Sequence, residues 1–171
     1  MKRWLAVLLL LLAGCAAIPS LPARPPAETI SAFAFTGRLA VRQGESRHHV
    51  NVDWRHAADS DEIMLATPLG QGVAEIVRDA AGARLTLADR RRFAADDWSA
   101  LSEQVFGFRL PLQASARWLL GQIGEEADTE GWRVRVLERE SDLPNALPRL
   151  IELERGDIAV HLRIDEWTEL R

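Results

Sequence analysis

FAFTGRLAV, residues 33–41, is followed after a turn at Gly44 by HVNVDWR, residues 49–55. Successive side chains of an extended chain point to opposite faces. Phe33, Phe35, Leu39 and Val41 therefore share one side of the first run, and Val50, Val52 and Trp54 one side of the second. The pair reads as a β-hairpin with a single apolar face. The pattern continues outward. Residues 62–67, with Ile63 and Leu65, form a third run that stops at PLGQG, residues 68–72, a turn signal. Residues 73–78 resume the alternation, 79–82 turn again, and 84–88 extend it through Leu85 and Leu87. An antiparallel meander is predicted.

At Asp96 the period changes. Trp98, Leu101 and Val105 fall at helical spacing behind a cap at Asp96 or Asp97 and before Gly107, where glycine suits a helix end. Pro111 precedes a second helical stripe of Leu112, Ala116 and Leu119, flanked by Trp118 and closed by Gly121. The acidic stretch 125–130 reads as disordered, and strands return over 132–140, 148–154 and 158–167. The fold class expected is mainly β with inserted helices: an incomplete antiparallel β-barrel, or half-barrel, covered by short α-helices. A filled interior would make it a structural domain. Incomplete filling would leave a groove for an apolar ligand.

The N-terminus is organised differently. Lys2 and Arg3 precede an apolar run, residues 4–12, and then Leu12-Ala13-Gly14-Cys15, the layout of an exported leader with a small-residue cleavage point. The run is about half the roughly 20 residues that a membrane-crossing helix needs. The box resembles a bacterial lipoprotein signal, which implies removal of residues 1–14, a lipidated Cys15 and a proline-rich tether to residue 29, with the domain proper over 30–171. Three acyl chains on Cys15 would anchor the protein durably, since two already suffice. Ala16 after the cysteine implies, by the same resemblance, sorting to the outer membrane on its periplasmic side.

Composition narrows the function. With Lys2 and Arg3 lost in the leader, 19 basic residues face 25 acidic ones, which argues against nucleic acid as a partner. Every remaining cation is arginine, and Arg90-Arg91-Arg92, too short for a binding tail, reads as a solvated turn. Cys15 is the one cysteine, so no disulfide is expected in the domain. His48, His49, His56 and His161 form no recognised metal set and read as surface residues. Ser99, Ser102 and Ser115 lack a nucleophile-elbow context, and Asp96 with Asp97 is explained by capping. No cofactor, metal or enzymatic activity is expected.

Four segments in order, FAFTGRLAVR, IMLATPLGQGVAEI at 63–76, FGFRLPLQASARWLLG at 106–121 and the terminal RIDEWTEL, resemble the LolB family of outer-membrane lipoprotein receptors. The resemblance implies a half-barrel of the kind shared by LolA and LolB, with short helices over an apolar cavity. It also implies a function: accepting lipoproteins from the soluble periplasmic carrier LolA and delivering them into the inner leaflet of the outer membrane. A one-to-one handover suggests a monomer. The partners are then the carrier, the acyl chains of the cargo, and the outer membrane held through the N-terminal lipid.

The resemblance places a membrane-insertion loop at Pro68, Leu69 and Gly70. Leu69 either projects from this tight turn or folds back on the sheet as an ordinary hairpin contact. Trp54, Trp118 and Trp167 match family positions on the inner, cavity-side surfaces, where core packing is the other reading. Ile63, Leu65, Trp98, Leu101, Val105 and Leu119 complete the expected acyl-chain cavity. The alternative function is an outer-membrane lipoprotein that binds another apolar ligand or scaffolds an envelope complex.

Overall fold

The computed structural model describes residues 24–129 and 131–171; the leader, Cys15 and the tether up to residue 23 lie outside them. Strands β1 (Phe33–Gln43), β2 (Ser46–Ala57), β3 (Ser60–Ala66), β4 (Gly72–Asp79), β5 (Gly82–Leu87) and β6 (Arg92–Ala95) come first. Helices α1 (Trp98–Phe106) and α2 (Leu112–Leu119) follow, and then β7 (Glu126–Thr129), β8 (Trp132–Arg139), β9 (Pro148–Arg155) and β10 (Ile158–Leu170). The strands make one antiparallel sheet in the order β6-β5-β4-β3-β2-β1-β10-β9-β8-β7. The sheet is open, with β6 and β7 as its edges.

The meander and the C-terminal strands meet at β1 and β10. Register shifts between Ala34 and Phe35 and between Thr36 and Gly37 bend this seam, as bulges do. The backbones approach so closely there that a Cβ on Gly37 would lie 2.4 Å from the Arg163 carbonyl oxygen. Only glycine fits. Beside the seam, Phe33, Phe35, Trp54 and Trp167 pack as an aromatic cluster with ring centroids 5.3 to 6.0 Å apart. Each such pair contributes about 0.5–1.5 kcal/mol beyond the area it buries.

Two expectations are corrected. The acidic stretch 125–130 contains strand β7, which pairs Ala127 with Val134 and Thr129 with Trp132. Backbone pairing does not require apolar side chains, and charge is tolerated at an edge, where Arg133 meets Asp128 at 3.6 Å. The triplet at residues 90–92 is only partly a turn: Arg90 adopts a positive φ of 70°, while Arg92 opens β6 opposite Thr86. The turn carboxylates sit below their usual range. Asp79 is held down chiefly by the Arg84 guanidinium and then by the Ala81 amide, and Asp89 chiefly by the Arg91 amide and then by its side chain.

The helices occupy the concave side. Asp97 caps α1 by accepting from the Ala100 amide at 2.8 Å, and Gly107 ends it at φ 79°. The hydroxyl of fully buried Ser102 donates to the Ser99 carbonyl and accepts from the Leu110 amide, both at 2.9 Å. That pair of bonds pins the connector between the helices. Among the described residues no helix is long and apolar enough to cross a membrane.

Candidate functional site

Alternation and register assemble an apolar band across the sheet. Phe35 stands opposite Trp54, Trp54 opposite Ile63, and Ile63 opposite Ile76. On the other side of the seam Val160 pairs with both Val41 and Leu153. The helices cover this band without filling it. A cavity of about 280 Å³ remains between sheet and helices, and Ser115 is its one lining residue with a polar side chain apart from the indoles. Leu39, Leu65, Leu153 and Val160 on its walls are only partly buried, so the hollow opens to solvent. At roughly the 30 Å³ that a water occupies in the liquid, it has room for about nine methylene groups.

Six of the nine expected cavity residues line it: Trp54, Ile63, Leu65, Trp98, Trp118 and Leu119. The other three do not. Leu101 is 1 % exposed in the filled part of the core beneath α1, and Val105 packs partly buried against the same core. The α1 stripe is thus divided: Trp98 borders the hollow, while Leu101 and Val105 serve the packing of a helix that sits against β5 and β6. Trp167 is taken up by edge-to-face contacts with Phe33 and Phe35 at 5.6 and 5.3 Å. It belongs to the aromatic cluster beside the bulged seam, opposite Phe35 on β1. Lining residues that the sequence did not single out include Leu110, Trp132, Leu153 and Val160; those on the C-terminal strands follow the inward parity of β8, β9 and β10.

One cavity wall rests on buried charge. Asp61, 2 % exposed, accepts from Trp54 Nε1 at 2.8 Å and from Arg78 Nε at 2.6 Å, and His56 Nδ1 lies 2.6 Å from the same carboxylate. The Trp54 ring is thus held by a hydrogen bond as well as by packing. His56 is not a surface residue: its ring stacks on Phe33 at 4.9 Å, and its contact with Asp61 removes the reason for exposure. Register carries the signal for this node, since His56, Asp61 and Arg78 are cross-strand partners in one row. Polar residues at inward positions call for partners.

At the β3–β4 turn, Thr67 N donates to the Gln71 carbonyl at 2.7 Å and Gly70 N to the Thr67 carbonyl at 2.8 Å. Gly70 takes φ 85°. This is a three-residue hairpin loop, Pro68-Leu69-Gly70, in which the left-handed position requires glycine. The geometry leaves Leu69 90 % exposed at the tip. It does not fold back on the sheet.

A family model described as outer membrane lipoprotein LolB matches residues 31–167. Curated relatives carry the same name along most of their length. An outer-membrane lipoprotein LolB of Chromobacterium violaceum is 34 % identical, with 94 % of each chain covered. One of Nitrosomonas europaea is 31 % identical over 97 % of this chain and 92 % of its own, and one of Azoarcus sp. is 31 % identical over 99 % and 98 %. Among solved structures, a LolA superfamily protein of Nitrosomonas europaea covers 81 % of this chain and 86 % of its own at a TM-score of 0.48 and 9 % identity.

Proposed function

The chain belongs to the LolB family of outer-membrane lipoproteins, and from that premise we propose that its cavity receives the acyl chains of other lipoproteins from the periplasmic carrier LolA and releases them into the outer membrane. The observation that carries this reading is the 280 Å³ apolar hollow left open beneath two helices. Burying a methylene contributes about 0.8 kcal/mol, so nine of them give about 7 kcal/mol gross, from which the cost of association is subtracted. The bilayer buries whole chains and outcompetes such a site. Transfer then runs downhill without nucleotide energy: a small apolar advantage over the carrier loads the cavity, and the membrane empties it. Each tenfold preference along the way needs about 1.4 kcal/mol.

Cys15 and the segment up to residue 29 are the anchor and tether in this scheme. Leu69 is the group that enters the acyl region, because a leucine at the tip of a glycine-closed loop contributes nothing to the core. The chain acts as a monomer, one receptor meeting one carrier. The test mixes LolA loaded with a lipoprotein with this domain lacking Cys15, and separates the two proteins. Cargo recovered on the domain is the expected result. Cargo that stays on the carrier at every ratio overturns the proposal.

A further inference from the structure

The outer face of the sheet carries a groove with arginines on its walls. Side chains of β1, β2 and β10 that alternate with the cavity residues point away from the cavity, and two adjoining depressions of about 430 and 280 Å³ run along them. They share Ala40, His49 and His161, so small Ala40 forms a floor between longer walls. Those walls hold Arg38, Arg42, Arg47, His49, His161 and Arg163, and no carboxylate lines either depression. In a chain with more acidic than basic residues, this face gathers four arginines, while His161 lies 3.1 Å from the Glu152 carboxylate.

The register makes this gathering costly. Arg42 stands directly opposite Arg47, and Arg38 opposite Arg163, arrangements that repel. Arg38 is relieved by Asp165 at 2.7 Å and Arg163 by Glu138 at 3.4 Å. Arg42 and Arg47 are exposed and, among the described residues, have no acidic partner. Pro68 borders the same groove, and Asn51 Nδ2 donates to the Thr67 carbonyl at 3.3 Å. The loop that presents Leu69 is therefore continuous with the arginine-walled groove.

We propose that this groove docks on an anionic phospholipid surface, with Arg42 and Arg47 against the head groups while Leu69 enters the acyl region. The choice of a lipid surface rests on the membrane-facing reading of Leu69 given above. An apolar tip beside basic side chains is the arrangement by which peripheral segments hold a bilayer interface. The tether alone fixes distance from the membrane but not orientation; the groove and loop together fix which face of the domain meets it.

The test uses the mature lipidated chain carrying Gln71→Cys, labelled with an environment-sensitive dye and anchored in phosphatidylethanolamine vesicles with or without phosphatidylglycerol. No carrier or cargo is present. The expected result is a shift to apolar emission that grows with phosphatidylglycerol and fades at high salt. Arg42→Gln with Arg47→Gln lowers the ratio of docked to undocked domain about 25-fold, about fivefold for each arginine. Both side chains are exposed and outside the core, so folding is retained. An equal shift with and without phosphatidylglycerol, or one unchanged in the double variant, overturns the proposal. A double variant that docks normally but takes cargo more slowly from LolA assigns the groove to an acidic protein, and overturns it as well. Leu69→Glu separates the two readings: a lipid-dependent shift that survives it retires the loop and leaves the groove in contact with the membrane.

Discussion

Trp54 reaches from the cavity wall to Asp61, donating its indole N–H across 2.8 Å to a carboxylate that is 2 % exposed. The same carboxylate neutralises Arg78, whose side chain is 13 % exposed. Removing one member of such a pair strands the other charge, at a cost of about 3–5 kcal/mol. Asp61→Ala is expected to lose about that much in urea unfolding. Asp61→Asn, which retains an acceptor for Trp54, should lose less. A loss below about 1 kcal/mol for Asp61→Ala would mean that Arg78 turns to water, leaving Trp54 held by packing alone.

Leu69 is 90 % exposed, so its replacement should leave folding untouched. Leu69→Glu is expected to unfold within about 0.5 kcal/mol of the parent and to accept cargo normally, yet to fail in releasing it to vesicles. The decisive measurement is delivery in a two-compartment assay, and wild-type delivery by the variant would remove the loop from the mechanism.

The division of the tryptophans can be read by fluorescence. Trp118 lines the cavity and Trp167 does not. Cargo with brominated acyl chains should therefore quench the protein strongly, Trp118→Phe should remove a clear part of that quenching, and Trp167→Phe should leave its fractional extent nearly unchanged. Equal losses from both substitutions would place the chains at the seam instead of under the helices.

Gly37→Ala should open the seam between the two halves of the sheet. Its Cβ would sit 2.4 Å from the Arg163 carbonyl, and the backbone must shift, at about 1–3 kcal/mol by analogy with overpacked cores. Thermal unfolding measures this. A variant as stable as the parent would show that β1 and β10 can separate slightly without loss.

Much of the sheet was legible because alternation is a local property. The runs at 33–41 and 49–55 state which side chains share a face, and the pairing of Phe35 with Trp54 follows from the turn at Gly44. Strand β7 was hidden because an edge strand needs only backbone pairing, which leaves no apolar trace. The outline of the cavity was legible only in part for a different reason. Strict alternation from Ile158 to Ile164 would turn Trp167 to the other face of β10; the register shift between Thr36 and Gly37 brings it back opposite Phe35, and no local pattern shows that shift. Leu101 shows the same limit from the helix side: its stripe says that it is buried, not against what. The Asp61 node crosses three strands, and a single-strand pattern cannot expose it.

The two edges of the sheet, β6 and β7, share no ladder, and each is only four residues long. Nine methylenes are fewer than a long fatty chain possesses, so a triply acylated guest demands a roomier host. With the rim unclosed, swelling requires the helical cover to slide on greasy contacts while every main-chain bond between neighbouring strands persists. On that geometry, a larger load would leave the weave of the sheet intact.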